Sequence, residues 1–206
     1  RFGVRPVAAA SIGQVHRARS RDGRDLAIKV QYPGVRRSID SDVDAVGTLV
    51  RASGLMPKGF ALAPFLEEAK RQLHEEADYR MEAENMAKFA ALLGDDPGVR
   101  VPVPHDDLTG DGVLAMSFLQ GVAIDRMADG DQLTRDQLAG RVIELLFREL
   151  FEFGFMQTDP NFANFLYDPA SDCRGLLDFG AAKPIEEAVS AAYRDLLRAG
   201  LSADRA

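Results

Sequence analysis

The chain reads as a two-lobed α+β protein, with about five antiparallel strands and their helices followed by a mostly helical half. Three observations predict this. Short apolar runs of strand length fill residues 4–31 and return at 99–118. Apolar residues at helical spacing occupy 39–55, 63–93 and 133–155. After Gly121 the strand-like runs give way to helical periodicity, with no repeat or low-complexity linker on the way.

Val4 to Ala10, Gly13 to Arg19 and Leu26 to Gln31 form a predicted three-strand meander, and Arg21-Asp22-Gly23-Arg24 is its hairpin turn. Tyr32-Pro33-Gly34 stops the third strand. Ile39, Val43, Val46 and Val50 then predict a helix over 39–55. Ala63 to Leu93 reads as one long charged helix, with Pro64 in its first turn and Gly94 past its end. Val99 to Pro104 and Val113 to Phe118 are the fourth and fifth strands. Leu133 to Phe155 places Ile143, Leu146, Phe147, Leu150 and Phe151 on one apolar face. The expected boundaries are 1–118 for the first lobe, 119–121 for a hinge and 122–206 for a partial second lobe, with a ligand cleft between lobes. The start at Arg1 reads as a cut inside a longer protein.

Bulk chemistry excludes several classes. At 206 residues the chain can bury a core as one average domain or two small lobes. A net charge of −7, with no basic cluster longer than Val35-Arg36-Arg37, disfavours a nucleic-acid partner. Cys173 is the single cysteine, so no internal disulfide forms, and no zinc-type Cys/His spacing is present. No apolar run approaches the roughly 20 residues that span a bilayer.

The chemistry-bearing residues lie in four places. In the second half, Asp159-Pro160-Asn161-Phe162-Ala163-Asn164 precedes Leu176-Leu177-Asp178-Phe179-Gly180. Asp, Asn five residues later, then Asp-Phe-Gly is the order used by kinases: the first Asp handles the nucleophile's proton, while Asn and the second Asp hold Mg²⁺. Hard oxygen donors suit that ion better than imidazole or thiolate. Taken singly, Asp-Pro is a turn and Asp-Phe-Gly a strand end; their joint order and spacing make Asp159 the catalytic candidate and Asn164 and Asp178 the metal candidates.

Upstream, Leu26-Ala27-Ile28-Lys29 matches the strand whose Lys meets the α and β phosphates of ATP. The turn-like segment Ala8-Ala9-Ala10-Ser11-Ile12-Gly13 precedes it at the distance of a phosphate-covering loop. Alanines stand there in place of glycines, although alanine takes positive φ only at a cost.

Ala8 to His16, then Val30-Gln31-Tyr32-Pro33-Gly34-Val35, Glu76-Ala77-Asp78-Tyr79, and Phe155 to Asp168 together resemble the UbiB family of atypical kinases tied to ubiquinone (coenzyme Q) synthesis, in its mitochondrial and α-proteobacterial branch. The resemblance runs from about Pro6 to Pro184. It implies a protein-kinase-like fold binding ATP and Mg²⁺, with Ala8 to Gly13 over the phosphates and Met116 and Phe118 beside the nucleotide. Glu76 would pair with Lys29, with Glu68 and Glu75 as rivals on spacing, and Asp78 would face the nucleotide or an upstream segment. The family's Lys-x-Gly-Gln segment is absent from this chain, and Ser117 stands where an acidic residue is common. Expected partners are ubiquinone-synthesis enzymes, lipid or quinone precursors, and a membrane surface reached through regions outside this chain. The implied location is the matrix side of the mitochondrial inner membrane in a eukaryote, or the cytoplasm or inner-membrane periphery in a bacterium.

The function expected is an atypical kinase or ATPase. The alternatives are a nucleotide-binding pseudokinase scaffold for ubiquinone-synthesis enzymes and a small-molecule kinase. Gln157-Thr158-Asp159 in place of His-Arg-Asp, and a direct run from Gly180 through Ala181-Ala182-Lys183-Pro184 into a helix, leave no activation-loop platform for peptides.

Overall fold

Four antiparallel strands build the first sheet of the computed structural model, which describes residues 2–54, 57, 60–159 and 161–202. Their order is β1 (Ala8–Ala10), β2 (Gly13–Arg19), β3 (Asp25–Gln31) and β5 (Val113–Ser117). Ser20 to Arg24 closes the β2–β3 hairpin, with Gly23 at φ 94°. Central β3 is flanked on both sides, so Leu26 and Ala27 are buried.

The predicted fourth strand belongs elsewhere. Val99–Arg100, β4, pairs in parallel with β9 (Cys173–Leu176), and Arg174 donates from Nε to Gly98 O at 2.9 Å. The chain accordingly divides into two compact units, Arg1–Ala87 with Pro102–Leu119, and Lys88–Val101 with Gln120–Ala206. Residues 88–101 thus fall outside the first unit, because a parallel partner far along the chain captures them.

In the first unit, α1 (Val35–Ser53) buries Ile39, Val43 and Gly47, four residues apart each time. Val46, expected on that face, is 55% exposed. The end read at Leu55 lies outside the described residues. A Cβ on Gly47 would stand 2.5 Å from Leu66 Cδ1, so glycine there lets α2 (Leu62–Glu76) approach closely. The long helix expected over 63–93 breaks at Ala77–Asp78. Asp78 Oδ1 accepts the backbone N–H groups of Arg80 at 3.2 Å and Met81 at 3.1 Å, capping a new helix, α3 (Tyr79–Leu93).

The second unit is less helical than its periodicity suggests. Among its described residues, β6 (Val122–Ala123), β8 (Phe165–Asp168), β9 and β4 form a four-stranded sheet, and β7 (Phe155–Gln157) pairs with β10 (Ala182–Pro184). These strands are two to four residues long, too short for an alternating pattern to show. Helix α4 (Gln132–Arg148) is capped by Asp131, which accepts from Thr134 N at 3.0 Å. It runs into a π-helical segment, Glu149–Phe153, ended by Gly154 at φ 57°. The buried residues of this stretch are Leu138, Leu145, Glu149 and Leu150, whereas Ile143 is 53% exposed and Phe147 41%. Helix α5 (Glu187–Ser202) follows β10 directly and buries Ser190, whose hydroxyl donates to Leu150 O at 2.8 Å. No helix of the described residues is long and apolar enough to cross a membrane.

Candidate functional site

The Ala-rich segment is a β-hairpin, which explains how alanine serves where glycine is the common choice. Ala8, Ala9 and Ala10 lie in β1 opposite Val15, Gln14 and Gly13, joined by the two-residue turn Ser11-Ile12. None of residues 8–13 has a positive φ, so the alanines there carry no backbone strain. Gly13 is required for a different reason: a Cβ on it would meet Val30 O at 2.2 Å. Ile12 is buried with Ile39 and Ala77, and its carbonyl accepts from Tyr32 N at 3.0 Å, so the turn is anchored to the unit's core.

Lys29 sits in β3 opposite Val15 and Leu114, 7% exposed. Its ammonium donates to Glu82 Oε1 at 2.7 Å and stands 5.7 Å from the ring centroid of Tyr79. The carboxylate expected here was that of Glu76, with Glu68 and Glu75 as rivals. The break at Ala77–Asp78 decides otherwise. It starts a new helix whose inner stripe is Tyr79, Glu82, Ala83, Met86 and Phe89, all under 7% exposed, so Glu82 is the carboxylate carried inward to Lys29. Glu76, at the end of α2, instead accepts from Ser11 Oγ at 2.7 Å. Gln31 Nε2 donates to Ala77 O at 2.7 Å, tying β3 to the same break. Glu82 was visible in the sequence as the one acidic member of an i, i+3, i+4, i+7 apolar stripe, but only once the helix is started at Tyr79.

Ser11 and Glu76 share one exposed bond, so Ser11→Ala and Glu76→Ala should each cost about 1 kcal/mol or less, and the double variant no more than either single. Denaturant midpoints of the three proteins measure this, and additive losses would count against the bond.

Met116 is 4% exposed in β5 opposite Ala27, and Phe118 carries the guanidinium of Arg17 at 4.1 Å from its ring centroid. Ser117 Oγ accepts from Val103 N at 2.9 Å. These contacts place Met116 in the sheet's core and Phe118 under an arginine.

In the second unit the sequence-predicted residues converge. Gln157 pairs with Ala182 across β7 and β10, and Thr158 N and Oγ1 both donate to Ala181 O, at 3.3 and 2.7 Å. This sets the strand that leads to Asp159. Asn161 Oδ1 accepts from Ala163 N at 3.0 Å and shapes the turn that follows; Pro160 lies outside the described residues. Asn164 Nδ2 then donates to Asp159 Oδ2 at 3.0 Å, and Asn164 O accepts from Leu177 N at 2.9 Å. Asp178 thus follows a backbone link to Asn164, and its Oδ1 accepts from Gly180 N at 3.0 Å. Phe179 is wholly buried against Phe89, ring centroids 5.2 Å apart, which fixes the Asp-Phe-Gly segment from its apolar side.

The donors fit Mg²⁺. That ion takes one or two carboxylates and leaves the rest of its shell to phosphates and water. The Asp178 carboxylate and the Asn164 amide oxygen are two such hard donors on adjoining backbone.

Like Glu82, Glu149 has no place in the sequence analysis. Glu149, 4% exposed, accepts the backbone N–H of Gln157 on Oε2 at 3.0 Å. Burial pushes its carboxyl up to about 7, against the opposing pull of the hydrogen bond from Gln157. The apolar-face reading of 133–155 passed over it because charged residues are taken as solvent-facing.

Residues 1–206 match the ABC1 atypical kinase-like domain. The chain is 41% identical over 205 residues to the mitochondrial atypical kinase COQ8 of Saccharomyces cerevisiae, covering 100% of this chain and 41% of that protein. It is 42% identical over 200 residues to mitochondrial COQ8B of Rattus norvegicus, covering 97% and 38%. The chain therefore spans well under half the length of these curated relatives. Among solved structures, a complex of Mycobacterium tuberculosis Rv3197 with erythromycin superposes with a TM-score of 0.76 at 32% identity, over 89% of this chain and 46% of that one. The Rio2 kinase of Chaetomium thermophilum, solved with ADP, Mg²⁺ and phosphoaspartate, shares the fold at a TM-score of 0.54 and 14% identity, over 94% and 52%.

Proposed function

Because the chain belongs to the ABC1 atypical kinase-like family, we propose that it is the nucleotide-binding part of an atypical kinase or ATPase that serves ubiquinone biosynthesis with ATP and Mg²⁺. The observation that carries this is the pair of bonds from Asn164, its side chain to Asp159 and its main chain to Leu177 just before Asp178, which supports a proton-handling role for Asp159 beside oxygen donors from Asn164 and Asp178.

Asp178 and Asn164 would hold Mg²⁺, which supplies charge neutralisation at the phosphates when bound. Asn164 Nδ2 occupies Asp159 Oδ2 and so orients the carboxylate, whose other oxygen can take a proton from a hydroxyl or a water. Lys29 would engage the α and β phosphates, its ammonium steadied by Glu82. The hairpin from Ala8 to Gly13 would cover the phosphates as a turn already anchored by Ile12. Relatives named as mitochondrial kinases support a mitochondrial location for a eukaryotic protein; the matrix side of the inner membrane there, and the cytoplasm or inner-membrane periphery for a bacterial one, belong to the proposal. Lipid or quinone precursors and ubiquinone-synthesis enzymes are the proposed partners.

The acceptor is water or a small, lipid-like molecule rather than a peptide. β10 leads straight into α5 at Glu187, which leaves no platform after Asp-Phe-Gly, and Thr158 replaces the arginine that would pair with a loop phosphate. The expected result is Mg²⁺-dependent ATP turnover lost in Asp159→Asn, with a generic peptide library left almost unlabelled. Efficient labelling of peptides in trans, abolished by Asp178→Asn, refutes the acceptor assignment. Wild-type protein without turnover points to a nucleotide-binding scaffold instead.

A further inference from the structure

We infer that Glu149 is a positioning residue for the catalytic loop, setting Asp159 and Asp178 together through its grip on Gln157. This rests on the kinase or ATPase reading given above.

The bond pattern is a short relay. Glu149 Oε2 accepts the backbone N–H of Gln157 at 3.0 Å, two residues before Asp159. The side chain of the same Gln157 donates from Nε2 to the backbone carbonyl of Asp178. One residue therefore joins Glu149 on its main chain to the Asp-Phe-Gly segment on its side chain. The β7–β10 pairing, Gln157 against Ala182, brackets that segment from its far end.

A carboxyl in this setting is expensive. Glu149 is 4% exposed and borders a cavity of about 690 Å³ whose other walls include Leu138, Val142, Leu145, Met156 and Phe162, with Asp159 at the same cavity. An isolated buried carboxylate costs several kcal/mol, so leucine or methionine would serve a purely packing role better. What leucine lacks is an acceptor for the Gln157 N–H, which would then be left unsatisfied.

The helix is also distorted at this point. Glu149 opens the π-helical segment Glu149–Phe153, and the N–H of Gly154 bonds to Glu149 O. Such insertions cost regularity and concentrate at functional sites. Here the segment ends at Gly154, so the chain reverses and Gln157 comes back to the side chain of the segment's own first residue.

The test compares three variants of the full-length protein: Glu149→Leu, Glu149→Gln and Gln157→Leu. Steady-state ATP turnover and hydrogen exchange at the Gln157 amide are the readouts. Residues that orient a metal or catalytic ligand from behind typically contribute about 10- to 100-fold in activity, so Glu149→Leu should lower kcat by that factor while KM for Mg-ATP stays within about twofold. Glu149→Gln keeps a neutral acceptor and should recover kcat to within about fivefold of wild type. The Gln157 amide should exchange faster in Glu149→Leu and remain protected in Glu149→Gln. Gln157→Leu keeps the contact to Glu149, which uses the main chain, but breaks the link to Asp178. It should lose kcat with the amide still protected, and it decides the matter if Glu149→Leu fails to fold. Wild-type kcat in Gln157→Leu, or equal kcat losses in Glu149→Leu and Glu149→Gln with a protected amide in both, overturns the inference. If the wild type shows no turnover, the kinase reading fails on its own. The relay then stands or falls on the Gln157 amide and on whether Gln157→Leu weakens Mg²⁺-dependent nucleotide binding.

Discussion

Asp178→Asn is expected to remove the Mg²⁺-dependent part of nucleotide stabilisation and to lower ATP turnover by about a thousandfold, the equivalent of the several kcal/mol that a metal ion contributes to neutralising transferred charge. Nucleotide at about 100 times its dissociation constant should stabilise the wild-type protein by about 2.7 kcal/mol, read as a rise in Tm. In the variant, the rise with Mg²⁺ should fall to the level seen with chelator. The bond that the Asp178 side chain accepts from Gly180 N is available to an asparagine oxygen as well, so the turn of the Asp-Phe-Gly segment should be kept. An unchanged Mg²⁺-dependent shift in Asp178→Asn would take Asp178 out of the metal site and leave Asn164 without its proposed partner.

Lys29→Ala should destabilise the protein by about 3–5 kcal/mol, because it strips the ammonium from Glu82, which is 1% exposed. Glu82→Ala should cost about as much, for the mirror reason. Each change removes the same 2.7 Å bond, so the two should couple by about 2 kcal/mol or more in a double-mutant cycle. A parallel cycle of Lys29→Ala with Glu76→Ala should be additive, since Glu76 bonds Ser11. Urea midpoints at constant m-value measure both cycles. Coupling in the Glu76 cycle together with additivity in the Glu82 cycle would restore the assignment read from spacing. The same variants separate stability from catalysis: Glu82→Ala should also lower turnover, whereas Glu76→Ala should act only through the hairpin it holds.

Both predictions lean on contacts that differ in how far they can be read from a linear sequence. The bond from Asn164 to Asp159 spans five residues within one loop, so identity and spacing alone carry it. Lys29 is equally local: seven residues of strand with a single lysine among apolar neighbours define its setting. Long-range partners are another matter. The choice of Glu82 over Glu76 depends on a helix break that a continuous charged periodicity conceals, and the cap at Asp78 marks it only when Arg80 and Met81 are seen to turn their N–H groups to it.

The sequence by itself determined the family, the α+β class, the catalytic and metal candidates and the short run from Gly180 into a helix, because each is written in residue identities held at short separations. Tertiary structure alone decided the rest. Val99–Arg100 joined β9 rather than the first sheet, since strand pairing is settled by a partner more than 70 residues away and two residues carry no register information. The Ala-rich segment proved to be a hairpin with no positive φ, so the alanines that looked like a departure are conformationally ordinary. Glu149 became the support of Gln157 only through the π-helical segment and the turn at Gly154. A carboxyl on an amphipathic helix is solvent-facing by default, and it is burial, which the linear pattern cannot report, that turns it into part of the site.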